Sequence, residues 1–357
     1  MISLISPKDG ASVSVMTAAQ KEFVRRHRAG ELHDGDDPFR IIADGDVTDA
    51  SAPATAVFSW SCDDKTALMT LEISDREDFS VLSGLCVSPV RQSAEDGVYF
   101  AGVTNFLLGQ KYYWRVRAGG ETSATRTFTT PWDDIRVMDV DFVPNFRDLG
   151  GRMTASGRRV KQGLLYRGTF IDWRGERCGL TRRGKNTFAR ELGIKTEIDL
   201  RIEALGRHKT SPAGDGIRYE FIPMENPFGG TFNERGMGEL RKIFDVLFDP
   251  SAYPVYFHCH SGADRTGFLG IVLDGVLGIP DDDIRLNYNF TSLYEHRNWD
   301  ECDDAKGYFG YLDEICPGRT MSEQVMFHLT EYGIDREKLE KMREFLLEDR
   351  QRTNRRR

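Results

Sequence analysis

No stretch of this 357-residue chain approaches the ~18 consecutive apolar residues that a membrane-crossing helix needs. The opening residues, Met1 to Gly10, have neither the basic flank nor the apolar core of a secretory leader. A cytoplasmic protein is expected, with a secreted protein that has lost its leader as the alternative. Cysteine is scattered. Cys62, Cys86, Cys178, Cys259, Cys302 and Cys316 form no Cys-x-x-Cys pair, so neither a zinc knuckle nor a disulfide framework is indicated. Such thiols suit a reducing compartment, with Cys62 and Cys86 left open as a pair. Positive charge is outnumbered, 48 Lys and Arg against 56 Asp and Glu, and the net charge of −8 excludes broad electrostatic binding of nucleic acid or an anionic membrane. The basic run Arg350 to Arg357 reads as a solvated end. There is no internal repeat and no low-complexity tract.

What is present divides in two, as a chain of this length should. Residues 1–130 are mostly short β-prone runs separated by turn residues: Ile2 to Ile5, Ser12 to Val15, Ala56 to Ser61, Ala67 to Ser74, Gly97 to Val103, Lys111 to Ala118 and Thr125 to Thr129. A short helix is expected over Ala18 to Ala29. In the run from Lys111, Tyr112, Trp114 and Val116 alternate with Tyr113, Arg115 and Arg117, which gives one core face and one solvated face. The solvated face is either ordinary surface or a binding patch. The run resembles the penultimate strand of a fibronectin type III domain, in which a tyrosine at the position of Tyr112 closes a corner. That resemblance implies a β-sandwich over 1–130, with an unknown partner or a spacer role.

Pro131-Trp132-Asp133-Asp134 reads as a linker, and 131–357 as a second domain in which strands alternate with helices. Such alternation predicts a mostly parallel sheet flanked by helices, with the site beyond the C-terminal ends of its strands. Strands are expected at Leu164 to Arg167, Ile194 to Leu200 and Tyr219 to Pro223. Helices are expected from the Thr181 cap to Leu192, over Gly238 to Phe248, after Pro280, over Met321 to Tyr332 and over Arg336 to Glu348.

One stretch carries chemistry. Val255 to His258 is an apolar strand, Cys259 to Arg265 a polar loop, and Phe268 to Leu277 a buried helix. A thiolate at a helix N-terminus is a stabilised nucleophile. Backbone amides of His260, Ser261, Gly262, Ala263, Asp264 and Arg265 can bind phosphate oxygens, and Arg265 adds a planar cationic fork. Gly262 lets the backbone turn, Thr266 can donate its hydroxyl to the sulfur, and His258 orders the loop from behind. These parts fit attack on phosphorus and a phosphocysteine intermediate, with neither metal nor organic cofactor needed. The other reading of His258 and His260 is a metal site, in which an extended backbone puts both rings on one face; no second ligand cluster accompanies it.

His258-Cys259-x-x-Gly262-x-x-Arg265-Thr266-Gly267 resembles the signature of the protein tyrosine phosphatase superfamily. Its Asp264-Arg265-Thr266-Gly267 ending is similar to that of the bacterial tyrosine/lipid phosphatase branch. Asn145 to Gly151, Leu165 to Arg167 and Ile198 to Arg201 resemble that branch's other segments, in the same order. The resemblance implies a protein tyrosine phosphatase acting on a phosphorylated protein or small phosphoester. It also implies Asp264 as the general acid, and there is no Trp-Pro-Asp loop; Trp132-Asp133 and Trp299-Asp300 are only partial matches. Asp199 is the second candidate for the acid. Asp199, Arg201 and Arg167 either line the pocket or lock the turns around it, and Asp148 is read as structural. Ala263 stands where phosphoinositide-directed relatives often carry lysine, which disfavours a highly phosphorylated substrate. The alternatives are a phosphoinositide or other small-phosphoester phosphatase, and a catalytically weak phosphate-binding or docking protein. Residues Tyr288 to Tyr308 are either a lid or a plain connection.

Overall fold

The computed structural model describes residues 1–33, 36–42, 49–64, 66–82, 91–92, 97–172, 179–202, 210–225, 234–295 and 304–349. They form two compact units, one of residues 1–17 with 53–138 and the other of 18–52 with 139–357.

The first unit holds two sheets. One runs in the order β1 (Ile2–Ser6), β3 (Ala56–Cys62), β6 (Val98–Val103), β5 (Arg91–Gln92). The other runs β2 (Ala11–Ser12), β9 (Arg126–Thr129), β7 (Lys111–Ala118), β4 (Met69–Ser74), with β8 (Glu121–Thr122) pairing onto β7. Alternation along β7 does what its sequence dictates. Tyr112, Trp114 and Val116 are buried, and Trp114 lies opposite Ile73 on β4. Phe58 of β3 meets Trp114 edge-on at 5.1 Å and Phe128 at 5.5 Å, so the two sheets share one aromatic core. The Tyr112 hydroxyl accepts a hydrogen bond from the Leu107 amide at 3.0 Å. On the outer face Arg115 donates to Glu72 at 2.6 Å and Arg117 lies 3.4 Å from the same carboxylate. These arginines serve a cross-strand ion pair. Trp132 packs on Gly109, where a Cβ would lie 1.7 Å from the indole, and so belongs to this unit.

The second unit is built on a five-stranded sheet ordered β10 (Arg147–Asp148), β11 (Leu165–Gly168), β14 (Val255–His258), β12 (Thr196–Asp199), β13 (Arg218–Phe221). All pairs but β10–β11 are parallel. Register sets Gly168 and Asp199 beside His258, so three strand ends converge at one point. Its long helices are α1 (Ala18–Ala29), α4 (Glu234–Leu247), α5 (Asp264–Leu277), α7 (Asp304–Ile315), α8 (Met321–Glu331) and α9 (Arg336–Leu346); α2 (Pro38–Ile42), α3 (Arg182–Asn186) and α6 (Asp281–Asn289) are shorter. Every residue of α5 from Thr266 to Leu277 is buried, as expected of a helix apolar on all sides. Thr181 caps α3 through the Gly184 amide at 3.1 Å. A π turn over Thr187–Glu191 then carries the chain to Gly193, which has a φ of 61°.

This division departs from a boundary at 130/131. Helix α1 forms over the expected residues, yet its segment belongs to the second unit. Phe23 is fully buried against Phe290, edge-on at 5.7 Å. Gln20 donates to the carbonyls of Ala50 and Ala52 at 2.8 and 2.7 Å. Among the described residues no helix is long and apolar enough to cross a membrane.

Candidate active site

The loop Cys259–Ala263 joins β14 to α5, and its backbone is polarised. Each of its carbonyls is held by the surrounding fold. The carbonyl of Cys259 faces His258 Nδ1 at 3.0 Å, and that of His260 accepts from the Phe170 amide at 3.1 Å. Asn145 Nδ2 donates to Ser261 O at 3.1 Å, Arg167 Nη2 to Gly262 O at 2.7 Å, and the Gly267 amide to Ala263 O at 2.6 Å. The amides of Ser261, Gly262, Ala263 and Arg265, by contrast, donate to no group among the described residues. A run of outward carbonyls and undirected amides at a helix N-terminus is a cradle for an anion.

Cys259 lies at the floor of this loop and is buried. Arg265, in the first turn of α5 and half-buried, makes one long contact, to Leu200 O at 3.5 Å, and no ion pair among the described residues. Its charge is therefore available to a ligand. Asp264 opens the same turn and is also half-buried. Thr266 is fully buried, and its Oγ1 makes no hydrogen bond among the described residues, the sulfur included. His260 is exposed and lies flat on Phe170, ring centroids 4.6 Å apart, while His258 is buried on the other side of the loop. The strand ends at His258, so the two imidazoles do not share a face, and a metal site built on the pair has no basis.

His258 is enclosed by acids. Nε2 is 2.9 Å from Glu197 Oε1, and Nδ1 is 4.0 Å from Asp199 Oδ1. Burial pushes its pKa down; Asp199 and Glu197 outweigh burial, against a smaller opposing push from Arg201, and the net shift is upward. The three side chains offer ligand atoms within 4.8 Å of one another. Both Asp199 oxygens are already engaged by Arg201, one of them also by Tyr219 Oη at 2.9 Å, and Nδ1 by a carbonyl. The cluster is thus a hydrogen-bonded brace. It also yields a prediction. With its pKa raised above the usual 6.5, folded His258 holds a proton that the unfolded chain releases. The resulting stability is full below that value and is lost as pH rises through the raised one, at no more than about 1.4 kcal/mol per pH unit. Thermal melts between pH 6 and 9 should show this decline. Glu197→Gln should shrink it and shift it to lower pH, whereas an unchanged decline would remove Glu197 from the brace.

Asp199, Arg201 and Arg167 come to the site as buried supports. Arg201 donates to Asp199 at 2.7 Å and to Asp172 at 2.6 Å. Despite burial, His258 and Arg201 hold the Asp199 carboxyl below the usual carboxylate range, which disqualifies it as a proton donor. Arg167 is fully buried, and burial lowers its pKa to about 10, so it stays charged at neutral pH. It lies along the glycine face of α5, where a Cβ at Gly270 would come within 2.8 Å of Nη1. Asp148 accepts from the amides of Gly150 and Gly163 at 2.7 and 2.6 Å, closing the turn after β10. Tyr288, Phe290, Leu293 and Tyr308, in the described part of the expected lid, are buried in the core. Trp299-Asp300 lies outside the described residues, as do Cys86 and the basic tail.

Three contributors escaped the sequence reading: Glu197, Asn145 as a loop anchor, and Asp172. A glutamate inside the apolar run Ile194 to Leu200 was the available signal for the first. For Asn145 it was the residue type most tolerant of left-handed backbone, and its φ is 56°. Nothing in the sequence singled out Asp172.

Residues 138–309 match the model of the tyrosine phosphatase family. A Cupriavidus necator protein provisionally named a tyrosine-protein phosphatase is 29% identical over 173 residues, covering 42% of this chain and 60% of that one. The chain thus spans about 60% of that relative's length. Among solved structures, the core catalytic domain of the PP-IP phosphatase Siw14 from S. cerevisiae aligns at 16% identity with a TM-score of 0.29, over 44% of this chain and 90% of that one. A second structure of the Siw14 catalytic core gives the same identity and score over 43% and 89%.

Proposed function

We propose that the chain hydrolyses phosphate monoesters through a phosphocysteine intermediate on Cys259, with phosphotyrosine in proteins as substrate. The polarised loop carries this reading: carbonyls spent on the fold and, among the described residues, amides of Ser261, Gly262, Ala263 and Arg265 without an acceptor and an arginine without an ion pair. Phosphate oxygens take the loop amides and Arg265. Sγ attacks phosphorus, the P–O ester bond breaks, and the leaving oxygen takes a proton from Asp264. Water then attacks the phosphocysteine, the P–S bond breaks, and Asp264 recovers a proton from that water. Inorganic phosphate leaves and the thiolate returns, with the Thr266 hydroxyl, unbonded to the sulfur in this structure, turning to donate to it as it departs. No step calls for a metal or an organic cofactor. Ala263 leaves the loop without the additional cation that a multiply phosphorylated substrate would favour.

Asp264 is assigned the acid because Asp199 is spent on Arg201 and held ionised. On a poor leaving group Asp264→Asn should lower kcat by about 10²- to 10⁴-fold, with a smaller loss on an activated aryl phosphate. It should also remove the alkaline limb of the pH profile. Asp199→Asn should keep that limb. A panel of phosphotyrosine peptide, phosphoserine peptide, inositol phosphate and 4-nitrophenyl phosphate tests the substrate class. Failure to release phosphate from any of them would leave the loop a binding device. The first unit, with its two sheets and the Tyr112 corner, supports the reading of a fibronectin type III-like sandwich. We assign it a partner-binding or spacer role, and assign the chain, with its scattered thiols, to the cytoplasm.

A further inference from the structure

A second cationic feature of the phosphatase unit shares no residue with the Cys259 loop. An open surface cavity of about 700 Å³, its charged walls exposed to solvent, lies against α3 and the following π turn, with Ala213 as a further wall. Arg182, Lys185 and Arg190 line it at positions i, i+3 and i+8 of one helical face, with Arg183 beside them. Small Ala189 lies between these long side chains. Arg183 pairs with Asp139 at 3.1 Å. Arg182, Lys185 and Arg190 have no ion pair among the described residues. The nearest acid in sequence, Glu191, is taken by Asn186, whose Nδ2 lies 3.0 Å away. Among the described residues no carboxylate lines the cavity.

Like charges one turn apart repel, and a chain with a net charge of −8 has acids to spare for neutralising them. The π turn, closed by the Leu192 amide on Thr187 O at 2.9 Å, is a costly backbone form that concentrates at functional sites. The volume falls within the range of small-ligand sites, and its concavity does not suit a flat membrane surface.

We propose that this cavity binds a small polyanion carrying three or more phosphate or carboxylate charges, at a site separate from the reacting phosphate. The test is titration calorimetry on the full chain with inorganic tripolyphosphate as the probe and orthovanadate present to occupy the Cys259 loop. Citrate in a parallel arm separates phosphate from carboxylate preference. Wild type should show a vanadate-insensitive binding event that weakens with salt. The triple variant Arg182→Ala/Lys185→Ala/Arg190→Ala should lose about 30-fold or more in affinity, from three charge-assisted contacts. Its turnover of 4-nitrophenyl phosphate should be unchanged, which also shows that it folds. The charge-matched variant Lys195→Ala/Lys242→Ala/Lys338→Ala should lose less than about threefold if the cavity rather than net charge is read. Equal losses in the two triple variants, or no binding beyond the vanadate-sensitive event, would overturn the proposal. A chain that fails every phosphatase assay yet binds tripolyphosphate in this pattern would keep the cavity and lose only the catalytic reading.

Discussion

Cys259→Ser should abolish turnover, by at least about 10⁴-fold, while leaving phosphate binding intact. In the proposed mechanism Sγ forms the bond to phosphorus, and a serine hydroxyl in its place has no base beside it among the described residues. His258 is committed to Cys259 O through Nδ1 and to Glu197 through Nε2, so it cannot take the proton. The anion cradle, on the other hand, is backbone amides and Arg265, none of which the substitution touches. Cys259 is buried, and replacing sulfur by the smaller oxygen should cost about 1 kcal/mol or less in a thermal melt. The measurement pairs phosphate release from 4-nitrophenyl phosphate with calorimetric binding of inorganic phosphate. Retained turnover would sink the covalent mechanism. Loss of both turnover and binding in a folded variant would move the sulfur from nucleophile to structural element of the loop.

The loop was legible because its chemistry is local. The proposed nucleophile, the turn glycine, the arginine and the hydroxyl fall within eight consecutive positions, from Cys259 to Thr266, and a strand and an apolar helix frame them in sequence as they do in space. Strand β7 was legible to the residue for a similar reason, since two-residue alternation records which face is buried. Allegiance was not legible. The periodicity of α1 shows that Phe23 and Val24 seek a core, but not that Phe290 supplies it. Burial direction was hidden too. Arg167 and Arg201 have the side chains of phosphate ligands, and only the fold shows them turned to Gly262 O and to Asp199. Glu197 was visible as a charge in an apolar strand, yet its meaning depends on parallel pairing of β12 with β14, a contact between distant segments.

Gly262→Ala should slow catalysis by about 100-fold, less than removal of the thiol does, and for a purely steric reason. Gly262 has a φ of 70°, which an alanine adopts at a cost of about 1 kcal/mol. The larger cost is contact. A Cβ there would lie 2.4 Å from the carbonyl oxygen of Gly168 and 2.6 Å from its carbon, both backbone atoms of the neighbouring strand end. Neither can yield, because β11 is pinned between β10 and β14. The loop must therefore move instead, dragging the Gly262 carbonyl off Arg167 and reorienting the amides of Ser261 and Ala263. A displacement approaching 1 Å in a catalytic group costs about 100-fold in rate, and the combined strain about 2–4 kcal/mol in stability. Gly193→Ala separates the two effects. That glycine also has a positive φ, 61°, but meets nothing within 4 Å. It should lose about 1 kcal/mol of stability and no activity. Kinetics with 4-nitrophenyl phosphate and thermal melts of both variants read the contrast. If Gly262→Ala turned over substrate at the rate of Gly193→Ala, the close approach of the loop to β11 would not be what holds the amides in place.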